Sequence, residues 1–300
     1  MLIHFILLHV IFSKKSYNGG GQSVTPGLIG NSNSSSNQLT SETGCASSGS
    51  TLFKGDFSKA VDKGVWWLDN QVYNGEVQKY TDTSDVLYVK DGNLVINALK
   101  DSDGNWTSSR IRTFDAWENF RVDVTYKLDQ EVTGAFPAIW MLPQGNSYIW
   151  PLDGEIDIME YNTQFPVRTQ QAIHMSAHFG AGALSYHNCN IDVKVFNTLS
   201  VEVNDDEIRF YCNGKASGFY KKPFAATVFN WPFNLHKYGL VLNYAINPSF
   251  SAKVPKSVNS LSMTISDLTV SKCASPVVSA AKQNINLWSS IVGMIVALFV

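Results

Sequence analysis

Three carboxylates, Glu155, Asp157 and Glu160, lie within six residues of a chain in which only 16% of residues are charged. Two isoleucines and a methionine separate them, so the segment is otherwise apolar. Acids held together resist full ionisation, so at least one of the three pKa values should be raised. Such repulsion between carboxylates costs stability, and proteins usually keep it only where the side chains perform acid–base chemistry. A solvated acidic strand and a calcium site are the alternatives.

The spacing of the three acids predicts an irregular strand. On a regular strand Glu155 and Asp157 share one face, whereas Glu160, five positions after Glu155, points to the other. A one-residue β-bulge at Ile158–Met159 returns Glu160 to the face of the first two acids and sends the apolar residues into the core. We therefore expect a core strand with a bulge, and a groove on its acidic face.

Period-two alternation dominates the chain around this segment. Residues 120–128, FRVDVTYKL, place five apolar side chains on one face and four polar ones on the other, as in a half-buried strand. The other segments that read as strands are 93–99, 196–203, 207–212, 238–244 and 261–270. Turn signals such as Asp-Gly and Asn-Gly separate several of them. The pattern predicts an all-β fold, an antiparallel β-sandwich.

Composition narrows the function classes and the number of domains. The chain has 300 residues and a net charge of −2, so it lacks the basic character that binding nucleic acid requires, and no such partner is expected. With 44% hydrophobic and 12% aromatic residues, it can bury one large core of roughly 200–250 residues. We assign this single domain to residues 51–273.

The two ends of the chain read as processing and attachment segments. Residues 1–15 contain an apolar run of secretory-signal length, and residues 16–50 form a spacer rich in Ser, Gly and Asn. Residues 274–300 end in an uncharged apolar run that resembles a GPI-anchor signal; a single-span anchor and a short hydrophobic tail are the alternatives. The expected location is secreted or at the cell surface, with membrane attachment through the tail.

The cysteine count fits a secreted chain. An even number of cysteines behind a signal segment predicts two disulfides, for which three connectivities exist. No two of them have the close CxxC spacing of a zinc site, so metal ligation is not expected. The four residues are Cys45, Cys189, Cys212 and Cys273.

The motif GEIDIME, residues 154–160, resembles the catalytic signature of glycoside hydrolase family 16 in its laminarinase-like branch, which has an extra residue before the last Glu. Four further segments follow in the family's order: 74–81 (NGEVQKYT), 89–96 (VKDGNLVI), 109–111 (SRI) and 137–143 (PAIWMLP). The resemblance covers about residues 51–271. It implies a jelly-roll β-sandwich with a concave carbohydrate-binding face. We expect a monomer that uses no cofactor and no metal.

The same resemblance implies a reaction. It is retaining, endo-acting hydrolysis of a β-glucan polysaccharide, expected at β-1,3 linkages, through a covalent glycosyl-enzyme. Glu155 matches the family's nucleophile and Glu160 its general acid/base, while Asp157 between them is expected to control the charge and protonation of the nucleophile. A cell-wall glucan transglycosylase and a non-catalytic carbohydrate-binding jelly roll are the alternatives.

Further residues match positions that contact sugar in the family. Trp150 matches a position that stacks on the substrate, and Trp140 is expected either in the groove or in the core. Asn74 and Arg110 match polar positions of the groove. Three other tryptophans are expected in the core: Trp66, Trp67 and Trp117.

Two histidines are expected on the strand that follows the acids. Residues 172–179 alternate, which places His174 and His178 on the same polar face. The segment His178-Phe179-Gly180 resembles a His-Tyr-Gly segment of the family that approaches the leaving group. His178 is therefore the favoured site residue of the two.

The resemblance also bears on disulfides and on the groove. It makes the first and last strands neighbours, which implies a Cys45–Cys273 bridge. Cys189 and Cys212 bracket two consecutive strands that can form a hairpin, and we expect them to pair. Phe136 stands where the family usually has Trp, so the outer subsites are expected to differ from those of typical laminarinases.

Overall fold

The computed structural model describes residues 45, 49–73, 75–145, 147–165, 167, 169–249 and 252–273. The predicted signal segment, most of the spacer and the tail lie outside the described residues. No helix within these described ranges is long and apolar enough to cross a membrane.

Seventeen strands and one short 3₁₀ helix, Gly180–Gly182, make up the regular structure of the described residues. The strands are β1 (Thr51–Lys54), β2 (Trp66–Leu68), β3 (Gln78–Tyr80), β4 (Leu87–Lys90), β5 (Asn93–Lys100), β6 (Trp106–Ser108), β7 (Arg110–Thr113), β8 (Phe120–Leu128), β9 (Ala135–Pro143), β10 (Glu155–Tyr161), β11 (Thr169–His174), β12 (Leu184–Cys189), β13 (Asn197–Val203), β14 (Glu207–Cys212), β15 (Lys215–Lys221), β16 (Tyr238–Ile246) and β17 (Ser260–Lys272).

These strands form two sheets that pack face to face. One sheet has the order β15-β14-β13-β8-β17-β5-β6-β3, with β1 paired to β17 and β4 paired to β5. The other has the order β12-β11-β10-β9-β16-β7-β2. The β3–β6 pair is parallel, and the other strand pairs of the described residues are antiparallel. The predicted all-β jelly-roll sandwich is confirmed.

The core lies between the two sheets and follows the alternation of the sequence. Along β8 the five apolar side chains are buried and the polar ones between them are partly exposed. On β9, Ile139 and Met141 point into this core. The intervening Ala138, Trp140 and Leu142 form a smaller apolar cluster with Val241. Because adjacent residues of a strand face opposite ways, this second cluster lies on the outer face of the seven-stranded sheet.

Two disulfides are present, with the predicted pairings. Cys45 is bonded to Cys273, with Cα atoms 5.0 Å apart, and Cys189 is bonded to Cys212, with Cα atoms 5.6 Å apart. Cys45 precedes β1, which pairs with β17, and Cys273 directly follows β17. The first bridge therefore joins the two ends of the sandwich domain.

Candidate active site

Strand β10 carries the three acids and contains the predicted bulge. Against β9, Asp157 pairs with Trp140 and Met159 pairs with Ile139, so Ile158 is the extra residue. Ile158 and Met159 are both buried in the core between the sheets. The three acids all line one groove on the outer face. The bulge thus returns the last acid to the face of the other two.

The acids differ in their hydrogen-bond partners. The indole N–H of Trp150 donates to Glu155 Oε2 at 2.9 Å, and the Gln170 amide donates to Glu160 Oε2 at 2.7 Å. Asp157 is only 1% exposed, and its Oδ2 has no aligned hydrogen-bond donor among the described residues. Glu155 and Glu160 therefore each accept a hydrogen bond from a neutral side chain, whereas Asp157 Oδ2 has no such aligned donor among the described residues.

His174 lies directly across from Glu155 on β11. Its Nε2 is 3.1 Å from Asp157 Oδ2 and 3.7 Å from Glu155 Oε1, although the contact with Asp157 lacks the angle of a hydrogen bond. The backbone N–H of Gly180 donates to His174 Nδ1 at 3.2 Å. Because Nδ1 accepts this bond, the ring hydrogen sits on Nε2. The imidazole therefore turns its N–H towards the two acids.

Burial raises the pKa of all three carboxyl groups, and desolvation is the largest cause for each. The charge of Asp157 raises the pKa of Glu155 further, and the charge of Glu160 does the same for Asp157. The bonds from Trp150 and Gln170 act in the opposite direction. Three buried acids this close are not ionised together. At least one of the three therefore keeps a proton.

His178, the favoured histidine of the sequence analysis, does not reach the acids. Strand β11 ends at His174, and residues 175–178 form a tight turn. In this turn Met175 and His178 exchange two backbone hydrogen bonds, each 2.8 Å long. The prediction that the strand continues to residue 179 is therefore wrong. His174 lines the groove, and His178 is not among its lining residues.

Known proteins that are similar to this chain in sequence or in fold include several glucanases. The chain is 32% identical over 201 residues to a glucan endo-1,3-beta-glucosidase A1 of Niallia circulans, covering 59% of this chain and 29% of that protein. It is 28% identical over 221 residues to a beta-glucanase of Rhodothermus marinus, covering 66% of this chain and 75% of that protein. A solved non-specific endo-beta-1,3(4)-glucanase from family GH16 superposes with a TM-score of 0.66 at 25% identity, over 76% of this chain and 97% of that one.

In sequence and in fold the chain is similar to the laminarinase-like proteins of glycoside hydrolase family 16. No family model matches it. The laminarinase-like chain spans less than a third of the length of the Niallia protein, of which 29% is covered.

The groove of the laminarinase-like chain crosses the strands of the seven-stranded sheet. It has a volume of about 560 Å³ and is lined from β10 and β11, past β9 and β16, to β7 and β2. Besides the acids, the groove is lined by aromatic and arginine side chains: Trp67, Tyr73, Arg110, Arg112, Trp140 and Tyr148. A groove with several flat aromatic faces and a few polar groups suits sugar rings.

Two of the predicted sugar-binding tryptophans lie in this groove. Trp150 is 45% exposed and reaches the acids through its indole N–H. Trp140 lies in the floor, where its indole N–H donates to Asn243 Oδ1 at 2.7 Å. Trp67 also lines the groove, so its prediction as a core residue is wrong. Trp66 and Trp117 are buried in the core as expected. Asn74 lies outside the described residues.

Arg110 lines the groove, but its guanidinium is held by contacts with other groove residues. It is only 1% exposed and forms an ion pair with Asp69 at 2.9 Å. Its guanidinium lies 4.7 Å from the ring centre of Tyr73 and 4.9 Å from that of Trp140. Its Nε has no hydrogen-bond partner among the described residues. Arg110 therefore supports two aromatic faces of the groove from below.

Sequence reasoning missed Gln170 and Arg112. Gln170 pairs across the strands with Glu160, and a register count through the β10–β11 hairpin is the signal that would have found it. Arg112 lies two residues after Arg110 on the same strand, and so on the same face. Its guanidinium is 5.8 Å from the Trp67 ring and 5.5 Å from the Tyr148 ring.

Glu155, Asp157 and His174 also form a group whose ligand atoms lie within 4.8 Å of one another, close enough to hold a metal ion. The nitrogen of His174 that faces the acids carries a hydrogen, because the other ring nitrogen accepts from Gly180. A metal ligand must offer a free lone pair. The arrangement suits proton chemistry better than ligation.

Proposed function

We propose that the chain is an endo-acting glycoside hydrolase that cleaves β-1,3 linkages of β-glucan by a retaining double displacement. The observation that carries this proposal is the bulged strand β10, which presents Glu155, Asp157 and Glu160 side by side in a groove that crosses the sheet. A polysaccharide can lie along such a groove and be attacked at an internal bond.

In the first step Glu160 donates its proton to the glycosidic oxygen, and ionised Glu155 attacks the anomeric carbon from the opposite face. The bond to the leaving sugar breaks and a glycosyl ester with Glu155 forms. Trp150 and His174 favour the ionised state of Glu155 beforehand, because both direct an N–H at its carboxylate region.

In the second step Glu160, now ionised, accepts a proton from water, and the resulting hydroxide equivalent attacks the anomeric carbon. The ester breaks, the sugar leaves with its original configuration, and Glu155 regains its negative charge. Gln170 steadies Glu160 in this ionised state through its amide N–H.

Asp157 is assigned a second proton, besides the one that Glu160 donates, because three buried acids this close are not ionised together. Its carboxyl group lies within hydrogen-bonding reach of Glu155, so a proton on Asp157 can be donated to the nucleophile. This hydrogen bond lowers the basicity of Glu155 in the resting state. In the second step it helps the Glu155 carboxylate to leave the anomeric carbon. Asp157 thereby tunes the reaction without bonding to the sugar.

We propose further that the protein is secreted or held at the cell surface and acts as a monomer. Two disulfides support an oxidising location. The signal-like segment 1–15 and the anchor-like tail 274–300 support it from the sequence.

The test is the activity of the purified protein on laminarin, mixed-linkage glucan, cellulose, agar and carrageenan, with Glu155→Gln as the inactive control. We expect internal cleavage of laminarin, with the β-anomer formed first in a time course of proton NMR spectra. Products longer than the substrate at high acceptor concentration would instead indicate a transglycosylase. Binding of laminarin with no product from the wild-type chain would indicate a carbohydrate-binding protein.

A further inference from the structure

The turn that carries Trp150 is closed by a carboxylate that has no place in the proposed reaction. The backbone N–H of Ile149 donates to Asp153 Oδ2 at 2.6 Å, and the N–H of Asp153 donates back to the Ile149 carbonyl at 2.9 Å. These two bonds fix the conformation of residues 149–153 and place Trp150 inside the closed turn.

The second oxygen of Asp153 ties this turn to the sheet. Asp153 Oδ1 lies 3.0 Å from His236 Nε2, in the segment just before β16. A carboxylate can only accept, so His236 Nε2 carries the hydrogen of this bond. The Tyr238 hydroxyl adds a bond of 2.6 Å to the Asp153 carbonyl oxygen. Both oxygens of the Asp153 carboxylate thus accept a hydrogen bond, Oδ2 within the turn and Oδ1 from the segment before β16.

Trp150 needs this bracing because its own packing does not fix its ring. Its side chain is 45% exposed. Its aromatic neighbours are Phe179, at 5.8 Å in an edge contact, and His174, at 6.0 Å, and Phe179 is itself exposed. The indole N–H nevertheless lies 2.9 Å from Glu155 Oε2. The backbone of the turn must therefore hold the ring in place.

We propose that Asp153 and His236 are positioning residues that hold the Trp150 indole N–H on the carboxylate of Glu155. They act through Trp150 and touch neither the sugar nor the reacting atoms. The assignment of Glu155 as a nucleophile rests on the proposed function, whereas the bracing of Trp150 does not. The two can be tested separately on the full-length protein.

Four variants separate bracing from a general loss of structure. Asp153→Ala removes both arms of the brace, and His236→Leu removes only the arm to β16. His236→Gln keeps an N–H donor of similar reach and is the conservative rescue. Asp192→Ala is the matched control, since Asp192 also accepts a bond from a backbone N–H two residues on, at 2.9 Å, in an exposed turn away from the groove.

The direct readout is the indole N–H signal of Trp150 in ¹⁵N-tryptophan-labelled protein, assigned by its loss in Trp150→Phe. We expect this signal to move towards the position of free indole in Asp153→Ala and His236→Leu. It should stay at the wild-type position in His236→Gln and Asp192→Ala. An unmoved signal in His236→Leu would overturn the proposal, even if Asp153→Ala failed to fold.

The kinetic readout is the acid limb of the pH profile of kcat/KM on laminarin, which reports the nucleophile of the free enzyme. Glu155 faces Asp157 and Glu160 of its own strand and His174 of β11, and none of these is changed by the variants. Loss of the indole donor disfavours ionised Glu155, so the limb should move to higher pH by about one unit, which is about a tenfold loss of kcat/KM on its acid side.

The outcomes of the two readouts are distinct. A displaced indole signal with an unmoved acid limb would overturn the part of the proposal that links the brace to the nucleophile. A displaced indole signal in a wild-type-like fold, with no laminarin hydrolysis by the wild-type chain, would support the brace and reject the proposed function.

Discussion

Glu155 and Glu160 have the same side chain, share a strand face and are both buried, yet their surroundings give them different tasks. Glu155 accepts from the indole of Trp150 and faces the N–H of His174. Glu160 accepts from the amide of Gln170 at the other end of the motif. In the proposed reaction the first must start ionised and the second protonated, so changes at the two positions should have different consequences.

Glu155→Gln and Glu160→Gln should therefore fail in different ways. The first removes the nucleophile, and hydrolysis of every substrate should fall at least about a thousandfold. The second removes the proton donor, which matters little for an aryl glycoside whose leaving group needs no acid. Glu160→Gln should then accumulate a glycosyl adduct, visible by intact mass, that azide releases.

Asp157→Asn should lower activity without abolishing it, because Asp157 forms no bond to the sugar. Adduct formation by Glu155→Gln and none by Glu160→Gln would mean that the two roles are reversed. Normal activity of both Gln variants on laminarin would place the site elsewhere.

Gln170 should set the alkaline limb of the pH profile. Its amide donates to Glu160 and lowers the pKa of that carboxyl, opposing the rise caused by burial. Gln170→Leu removes the donor, so the pKa of Glu160 should rise. The acid then keeps its proton to higher pH, and the alkaline limb of kcat/KM should shift upward by about one unit. Gln164→Leu, at an exposed position, is the control; an equal shift there would reject this role.

At the level of elements, the sequence of β10 was enough to predict its bulge, whereas its neighbour β11 was misread. The acids and apolar residues of β10 alternate with one extra residue, and only a bulge at Ile158–Met159 puts all of them on suitable faces. The alternation of residues 172–179 looks equally regular, but the backbone turns after His174. A two-residue period cannot distinguish a continuing strand from a turn that happens to keep the pattern.

Trp150 and His174 were expected near the acids, but their contacts with the carboxyl groups, and the role of Gln170, could not be predicted from the sequence for a related reason. Trp150, Gln170 and His174 reach the acids through the turn before β10 and the register of the β10–β11 hairpin. The register of the β10–β11 pair depends on the turn and on packing in both sheets, and neither can be predicted from one short segment. The resemblance to a family gave the identity of the acids, and the fold gave their partners.

Deletion of Met159 should test the bulge as an element. Without this residue β10 becomes a regular strand in which Glu160 stands four positions after Glu155, and so stays on the face of the other two acids. The deletion removes a fully buried methionine from the core, which should cost about 2–5 kcal/mol of stability. We expect laminarin hydrolysis to be retained and the melting temperature to fall.

Met159→Leu is the control for this deletion, since it keeps the residue count and nearly the same volume and should cost less than about 1.5 kcal/mol. A folded deletion variant that no longer hydrolyses laminarin would show that the bulge itself, and not only a shared strand face, sets the position of Glu160.

At the scale of the whole molecule, the groove and the disulfide that joins the two ends of the sandwich domain lie on different parts of the sandwich. The groove belongs to the outer face of the seven-stranded sheet. Cys45 and Cys273 join at the ten-stranded sheet, where the backbone N–H of Cys45 donates to Glu202 of β13 at 3.2 Å and that of Cys273 donates to the Asn119 carbonyl at 2.8 Å. We therefore predict that residues beyond these two cysteines are not needed to build the groove.

The fragment 45–273 should accordingly fold and hydrolyse laminarin with the kcat/KM of the longer chain, because it contains both sheets, the groove and both disulfides.

The two disulfides of this fragment should not contribute equally to its stability. Cys45–Cys273 closes a separation of 228 residues and Cys189–Cys212 one of 23. Because a longer closed loop removes more entropy from the unfolded chain, loss of the first bridge should lower the free energy of unfolding by about 5 kcal/mol and loss of the second by about 3 kcal/mol. The measurement is denaturant unfolding of the fragment and of its Cys45→Ser/Cys273→Ser and Cys189→Ser/Cys212→Ser variants, with activity before unfolding as the check on the groove. The reverse order of the two losses would contradict the loop-entropy account, and an inactive but folded fragment would mean that residues outside 45–273 complete the site.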